Sequence, residues 1–379
     1  MEENVEPKQK KQIQLPDLFY KKTNGAKIKM RQLQLLEPGK VELKEVPIPK
    51  ADPGEVVLKI RAALTCGTDL KTFKRGHPKF RLPMPFGHEF SGDIVEIGDG
   101  GVKDFKVGDP VMLAPTAPCG HCYYCKRNLG NLCSYTMETM VHGGYAQYIK
   151  IPAHVAKINL FHKPIYLDYF EAAALEPLSC VVYGSSFIDV TPGRSNVLII
   201  GAGPIGLMYI PIMKLLGAKR VVVLGRRPLR LHCAEQLGAD TIIDQKLCPP
   251  ELKNTKSVLQ KAFQGENCDV IIECTGQTSV WEESLALADD GAQVMLFGGC
   301  ASGTTFSLPL ADITKRKLTV KGAFHFTPEY VKKTYDLLCN RKINISPIIT
   351  KKMALSQYDE MIKELVKGDN IKIGIEPDL

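Results

Sequence analysis

The chain has 379 residues, of which 44% are hydrophobic and 24% charged, and its net charge is +8. That length exceeds one ordinary hydrophobic core, so two domains are expected, and the composition is that of a globular protein. The basic residues are scattered without a groove-reading motif, which argues against a nucleic-acid partner, and no apolar run has the length of a membrane span.

Residues 1–27 are a polar arm rich in Lys and Gln, without the apolar core of a secretory signal peptide. We therefore expect a cytoplasmic protein, in which the twelve cysteines remain reduced or bind metal. Those outside the two clusters described below are interpreted as small buried hydrophobic residues. They are Cys180, Cys233, Cys248, Cys268, Cys274, Cys300 and Cys339.

Residues 28–160 carry short runs that alternate apolar and polar positions and are broken by Gly and Pro. This pattern predicts a β-rich domain. The expected strands cover residues 41–46, 55–60, 92–97 and 108–113.

Within this region lies a sparse set of metal-binding residue types. Cys66 stands in Cys-Gly-Thr-Asp, and His88 and Glu89 stand in Gly-His-Glu-Phe-Ser-Gly. One thiol, one imidazole and one carboxylate leave room for water or substrate, which is typical of a catalytic zinc. The alternatives are a loop histidine with satisfied hydrogen bonds and a carboxylate that only supports a ligand.

A second, tight set has the spacing Cys119-x2-Cys122-x2-Cys125-x7-Cys133. Four thiolates saturate a tetrahedral zinc ion and leave no position for chemistry. The lobe at residues 119–133 is therefore predicted to hold a structural zinc, so that the chain carries two zinc ions.

The pattern becomes helical near residue 168, and from Arg194 strands and helices alternate. Apolar strands separated by helices predict a parallel sheet covered on both faces. From about Gly322, two amphipathic stretches are expected to return to the first domain. The expected strands cover 197–200, 221–224, 269–273 and 292–297, and the expected helices cover 204–216 and 228–237.

The loop Gly201-Ala202-Gly203-Pro204-Ile205-Gly206 follows the first of these strands and opens a helix. In that context it predicts a dinucleotide site, with the pyrophosphate at the helix N-terminus. Gly201 permits the tight turn, Gly203 lets the backbone approach the phosphates, and Gly206 lets helix and strand pack closely.

The end of the second strand indicates which dinucleotide binds. NAD enzymes normally place Asp or Glu there for the ribose 2′-hydroxyl, whereas this chain has Gly225-Arg226-Arg227. Guanidinium groups match phosphate oxygens, so NADP(H) is predicted over NAD(H), and Arg230 is included among the expected cofactor contacts. The alternative is that these arginines are solvated on a loop.

Five motifs follow one another along the chain: Cys-Gly-x-Asp, Gly-His-Glu, the four-cysteine lobe, Glu-Pro-Leu and GxGxxG. With this order of motifs the chain resembles the zinc-dependent medium-chain dehydrogenase/reductase family over nearly its whole length after residue 27. Within it, the chain is most similar to the polyol (sorbitol-type) dehydrogenases, with threonine dehydrogenases next. The resemblance implies an α/β fold with a GroES-like, β-rich catalytic domain at 28–183. It further implies a Rossmann domain with a doubly wound parallel sheet at 184–321 and a return to the catalytic domain at 322–379.

The resemblance also implies roles for single residues. Cys66, His88 and Glu89 would hold the catalytic zinc, and Glu176 would ligate it directly or through a water. Thr68 would place its hydroxyl near the substrate oxygen, although a threonine that stabilises the turn is the alternative. Where alcohol dehydrogenases often carry a proton-relaying histidine, this chain has Lys71, which we interpret as a solvated lysine.

The predicted activity is hydride transfer between NADP(H) and the secondary alcohol or ketone of a polyol or sugar, by a homodimer or homotetramer. The basic stretch at 71–81 favours a substrate that carries a phosphate or carboxylate, unless it is only a solvated loop. Threonine or simple-alcohol oxidation is the alternative within the enzyme class. A non-catalytic NADP-binding protein is the alternative outside it.

Overall fold

The computed structural model describes residues 28–247, 256–301 and 303–377. The arm predicted at 1–27 and Cys248 lie outside these residues. The strands are β1 (Lys29–Glu37), β2 (Lys40–Pro47), β3 (Val56–Leu64), β4 (Met84–Pro85), β5 (Glu89–Ile97), β6 (Pro110–Leu113), β7 (Tyr148–Ile151), β8 (Leu160–His162), β9 (Asn196–Ile200), β10 (Arg220–Gly225), β11 (Thr241–Asp244), β12 (Val270–Glu273), β13 (Gln293–Leu296), β14 (Thr319–Gly322), β15 (Ile349–Ala354) and β16 (Lys372–Glu376). The helices are α1 (Gly67–Arg75), α2 (Ser134–Glu138), α3 (Ala153–Asn159), α4 (Tyr169–Ala173), α5 (Leu175–Ser185), α6 (Pro204–Leu215), α7 (Pro228–Gln236), α8 (Lys256–Ala262), α9 (Thr278–Leu287), α10 (Leu310–Thr314), α11 (Pro328–Cys339) and α12 (Tyr358–Lys367).

The first part of the chain is β-rich, as predicted. One sheet has the strand order β15-β16-β3-β5-β6-β8, with β7 paired to β3, and a smaller sheet has the order β2-β1-β4. The long antiparallel pair β3–β5 contains two register shifts, between Val57 and Leu58 and between Ile60 and Ala62. Bulges of this kind increase the local twist and bend the strand, which lets the sheet curve around its own core.

The middle of the chain forms a six-stranded sheet in the order β11-β10-β9-β12-β13-β14, in which every pair is parallel. Strands β9 and β12 are buried along their whole length, as expected for a sheet with helices on both faces. Strand order reverses between β9 and β12, so the crevice at their carboxyl ends is where a doubly wound sheet binds its ligand. The predicted α/β fold class is confirmed.

The two parts share a continuous hydrophobic core through α5. Leu175 and Leu178 on this helix belong to the same buried cluster as Leu64 at the end of β3 and Val197 on β9. Helix α5 therefore lies between the two sheets. Its first turn carries Glu176, which is buried.

The chain then returns to the first sheet. Strand β16 pairs with β3, with Gly374 opposite Leu64 and Ile375 opposite Ala63. The two amphipathic stretches expected after Gly322 correspond to α11 and α12. Among the helices that the structure describes, none combines the length and apolar character that a membrane crossing requires.

The glycine loop shows why two of its positions exclude a side chain. Gly201 has φ 104°, a left-handed conformation that favours glycine. A Cβ atom on Gly206 would lie 2.0 Å from the carbonyl oxygen of Gly201, whereas one on Gly203 would meet no atom within 4 Å. Gly206 is thus required by the packing of α6 on the loop, and Gly203 leaves an open approach to the backbone.

We predict that Gly206→Ala destabilises the protein, because the new methyl group would overlap backbone that cannot move independently. The expected loss is about 1–3 kcal/mol or more, measured as a lower denaturation midpoint without cofactor. Gly203→Ala is the matched control. It should leave the stability of the cofactor-free protein unchanged, and equal stability of the two variants would contradict this account of the loop.

Candidate active site and metal centres

The four-cysteine lobe has the geometry of a closed metal site. The sulfur atoms of Cys119, Cys122, Cys125 and Cys133 lie within 4.8 Å of one another. The Sγ atoms of Cys119 and Cys125 are 3.8 Å apart, and those of Cys122 and Cys125 are 3.4 Å apart. Thiolates on a tetrahedral zinc with bonds of about 2.3 Å are separated by about 3.8 Å, so the four sulfurs fit zinc.

The sparse set is brought together by strand register. Glu89, the first residue of β5, pairs with Leu64 at the end of β3, and Cys66 follows two residues later at the start of α1. As a result, ligand atoms of Cys66, His88 and Glu89 lie within 4.8 Å of one another, with His88 and Glu89 buried. These donors suit a zinc ion that keeps an open position.

Asp69 orients the histidine of this set. Its buried carboxylate accepts hydrogen bonds from the backbone N–H of Cys66 and the hydroxyl of Tyr145, and it lies 3.1 Å from Nδ1 of His88. Burial disfavours a charged imidazole, but Asp69 raises the pKa of His88 well above its usual range. A carboxylate on Nδ1 leaves Nε2 for a metal, which is the usual arrangement around metal-bound histidine. The sequence motif contains Asp69, yet the sequence reasoning assigned it no role.

Glu89 is supported by a residue that sequence reasoning missed. Its Oε2 accepts a hydrogen bond from Nζ of Lys372, which also donates to the carbonyl of Thr65 at 3.0 Å. The other oxygen, Oε1, is buried and has no hydrogen-bond partner among the described residues. An unpaired buried carboxylate oxygen beside a thiol and an imidazole fits a metal ligand.

Glu176 lies in the same cleft but in a different group of donors. Its carboxylate, the thiol of Cys180 and a ring nitrogen of His325 lie within 4.8 Å of one another. Burial raises the pKa of Glu176 to about 7 and lowers that of His325 to about 3. Cys180, interpreted from the sequence as a small buried hydrophobic residue, and His325, which no motif singled out, therefore lie beside Glu176 in a group that could hold a metal ion. Whether Glu176 reaches the first metal directly or through a water stays a prediction.

The predicted substrate-side residues lie near the same cleft. Thr68 is half-buried, with its backbone N–H 3.4 Å from the sulfur of Cys66. Lys71 is exposed but not free, since its Nζ donates to the carbonyl of Gly299 beyond β13 at 2.9 Å. Lys79 lies over the ring of Phe324, 5.6 Å from its centroid. The basic stretch therefore reaches loops that follow two strands of the parallel sheet.

A separate pocket at the carboxyl ends of β9, β10 and β12 is lined by the glycine loop and the arginines. Helix α6 begins at Pro204, followed by Ile205, and presents its N-terminus at this pocket. A Cβ atom on Gly225 would lie 2.7 Å from a methyl carbon of Leu231 and 3.0 Å from Cβ of Ala202. Packing therefore disfavours any side chain at position 225, an acidic one included.

The three arginines of this pocket have different partners. Arg226 is exposed and donates to the side chain of Gln245 at 2.7 Å. Arg227 forms an ion pair with Asp369 at 2.9 Å, and Arg230 donates to the carbonyl of Gly368 at 3.0 Å. The last two contacts connect the rim of the pocket to the segment just before β16.

Known proteins resemble the chain over most of its length. Residues 52–160 match the alcohol dehydrogenase GroES-like domain, and residues 204–340 match the zinc-binding dehydrogenase family. An L-threonine 3-dehydrogenase of Symbiobacterium thermophilum is 31% identical over 92% of this chain and 98% of its own. A D-arabitol-phosphate dehydrogenase of Enterococcus avium is 31% identical over 88% and 92%, and a sorbitol dehydrogenase of Arabidopsis thaliana is 31% identical over 91% and 95%.

Solved structures also resemble the chain over most of its length. A candidate zinc-binding dehydrogenase of Sinorhizobium meliloti bound to NADP has a TM-score of 0.82 at 28% identity, covering 93% of this chain and 100% of that one. A short chain alcohol dehydrogenase of E. coli complexed with NADH has a TM-score of 0.79 at 26% identity, covering 92% and 99%. Similar folds therefore hold either dinucleotide.

We predict two tightly bound zinc ions per chain, measured by elemental analysis. Cys66→Ser should lose one zinc ion and the activity while keeping the fold. Cys122→Ser should lose the other and lower the melting temperature, because the lobe contains little apolar material of its own. Cys233→Ser, at a buried thiol outside both sets, is the control that should retain both ions. One zinc or none in the wild-type protein would contradict the assignment.

Proposed function

The chain belongs to the zinc-containing medium-chain alcohol dehydrogenase family, and we propose that it transfers hydride between NADP(H) and the secondary alcohol or ketone of a polyol or sugar. As a member, it is a zinc-dependent, NAD(P)-dependent dehydrogenase of a small alcohol or polyol, so the non-catalytic alternative is set aside. The observation that carries the proposal is the open set Cys66, His88 and Glu89 in the same molecule as a dinucleotide crevice.

Zinc held by these residues would supply a Lewis acid for the alcohol oxygen, and the nicotinamide would supply the hydride acceptor. The protein contributes placement and electrostatics. Asp69 fixes the orientation of His88, and Lys372 holds one oxygen of Glu89 while leaving the other free. Thr68, whose backbone nitrogen is 3.4 Å from the sulfur of Cys66, is proposed to place its hydroxyl near the substrate oxygen.

The arginines support NADP(H) as the preferred cofactor. Arg226 is exposed at the end of β10 and donates to the neutral side chain of Gln245, and no carboxylate of the described residues forms a salt bridge with it. Arg227 is paired with Asp369, which reduces its availability to a phosphate. We therefore propose that Arg226 makes the principal contact with the 2′-phosphate.

Arg226→Leu is expected to reduce the preference for NADP, because it removes a charge-assisted hydrogen bond worth about 1.5–3 kcal/mol. The ratio of kcat/KM for NADP to that for NAD should fall by about 10- to 150-fold. Arg194→Leu, which removes an exposed arginine outside the pocket, should leave the ratio unchanged. A wild-type enzyme that uses NAD at least as well as NADP would refute the proposal.

The substrate is proposed to be a polyol or sugar that carries an anionic group. The support is the position of Lys79 beside Phe324, next to His325 in the catalytic cleft, and of Lys71 against the loop after β13. A cleft bordered by one sign of charge attracts ligands of the other sign. A D-arabitol-phosphate dehydrogenase among the relatives acts on a substrate of this class. L-Threonine, which also carries a carboxylate, is the second candidate because L-threonine 3-dehydrogenases are equally similar.

We predict that D-arabitol phosphate has a higher kcat/KM than D-arabitol and that the advantage shrinks as salt is added. Lys79→Gln should raise KM for the phosphorylated substrate but not for the neutral one. Lys103→Gln, at an exposed lysine outside the basic stretch, is the matched control. Equal rates for both substrates, independent of ionic strength, would leave the basic stretch without a role in binding.

Assembly and location are further parts of the proposal. Strand β14 is at an edge of the described six-stranded sheet, and an exposed strand edge can pair with a second copy, which supports a homodimer or homotetramer. A monomeric mass in light scattering would contradict this. None of the described cysteines is in a disulfide, which supports a cytoplasmic location. Recovery of the native protein from a secreted fraction would contradict that location.

A further inference from the structure

The dinucleotide crevice adjoins a second depression at its arginine-lined rim. Arg226 and Arg227 line both the crevice and this depression. The other residues that line the depression are Pro228, Leu229, Lys246 and Asp369. It therefore holds three cationic side chains and one carboxylate, a combination that favours a phosphate group over a neutral hydroxyl.

The carboxylate of this depression, Asp369, has two cationic partners. Its Oδ1 accepts a hydrogen bond from Nη1 of Arg227 at 2.9 Å, and its Oδ2 lies 2.9 Å from Nζ of Lys367. Because Lys367 stays beside Asp369 when Arg227 turns away, the carboxylate keeps a compensating charge. Arg227 can therefore leave this ion pair without leaving Asp369 unpaired.

The ion pair between Arg227 and Asp369 is also weak enough to be exchanged. The side chain of Arg227 is 42% exposed and that of Asp369 is 54% exposed. Ion pairs at such exposure contribute little, because both charges remain hydrated. A phosphate monoester carries a charge of about −1.5 to −2 at neutral pH and three acceptor oxygens, so it attracts a guanidinium group more strongly than a single carboxylate does.

The segment that carries Asp369 does not depend on Arg227 for its position. Nη2 of Arg230 donates to the carbonyl oxygen of Gly368 at 3.0 Å and to that of Asn370 at 3.4 Å. These two contacts hold the segment against α7 on both sides of Asp369. Arg227 can therefore exchange its partner while the rim of the crevice stays in place.

We propose that Asp369 is a specificity-determining residue for the cofactor, because it competes with the 2′-phosphate of NADP(H) for Arg227. NADP(H) takes Arg227 from Asp369, whereas NAD(H), which has a hydroxyl in place of the phosphate, leaves the ion pair intact. Asp369 thus lowers the affinity for NADP(H) and moderates the preference that Arg226 provides. The inference rests on the proposed function in one respect, the placement of the 2′-phosphate beside Arg226.

The experiment is a fluorescence titration of the zinc-loaded full-length protein with NADPH and, separately, with NADH. Asp369→Asn keeps the size of the side chain and removes its charge. It should lower the Kd for NADPH by about three- to tenfold, because it removes an ion pair that binding must break and a charge that repels the phosphate. The Kd for NADH should change by less than about twofold.

Two further variants complete the test. Asp359→Asn, at an exposed acidic residue in the first turn of α12, is the matched control and should leave both dissociation constants unchanged. In an Arg227→Leu background, Asp369→Asn should lose most of its effect on NADPH. Equal tightening for NADPH and NADH, which is expected if Asp369 only holds its segment in place, would overturn the proposal. So would the absence of any gain, or a gain that persists in full without Arg227.

The same titrations separate this inference from the proposed cofactor preference. The preference is measured on the wild-type protein and on Arg226→Leu, whereas the inference is measured as the difference between Asp369→Asn and the wild type. A wild-type protein that binds NADH as tightly as NADPH would refute the preference. The change in selectivity of Asp369→Asn would still decide the inference.

Discussion

The buried ion pair between Glu89 and Lys372 holds the catalytic site together. Glu89 is 0% exposed and Lys372 is 1% exposed, although they are separated by 283 positions in the chain. Removing one partner of such a pair typically costs about 3–5 kcal/mol, because the other charge stays buried and unpaired. Cys66, His88 and Glu89 lie at the starts of α1 and β5, whereas Lys372 begins β16, so the site is complete only after β16 has joined β3.

The same stretch of chain also reaches the cofactor pocket. Residues 367–370 accept hydrogen bonds from Arg227 and Arg230, and two residues later Lys372 binds Glu89. One segment thus contacts the rim of the dinucleotide crevice and the support of the metal set. Both contacts are short and polar. A movement of the parallel sheet relative to the β-rich part would therefore disturb the arginine contacts and the Glu89–Lys372 pair at the same time.

Fold and substrate are determined by different parts of this molecule. Relatives that are 31% identical over nearly the whole chain are a threonine, an arabitol-phosphate and a sorbitol dehydrogenase. Identity at this level over nearly the full length shows a shared family and fold. We propose that the substrate depends instead on a few side chains at the cleft, among them Lys71 on α1 and Lys79 on the loop that follows it. Whole-chain identity is insensitive to so few positions.

The sequence by itself determined the features whose geometry is local. Four cysteines within the lobe at 119–133, and a glycine loop between a strand and a helix, carry their own spacing, so the closed metal site and the dinucleotide crevice could be predicted. Apolar alternation likewise predicted the strand-rich and the parallel-sheet parts. These signals lie within short windows, where backbone geometry links sequence distance to distance in space.

Only the tertiary structure decided the partners of those local features. The pairing of Glu89 with Lys372, the grouping of Glu176 and Cys180 with His325, and the contact of Arg227 with Asp369 each join residues far apart in the chain. No spacing rule relates such residues, because their proximity results from how the strands pair and how α5 packs between the sheets. Gly225 shows the same limit. The sequence showed that this position lacks the carboxylate typical of NAD enzymes, but it did not show that Leu231 and Ala202 crowd the position.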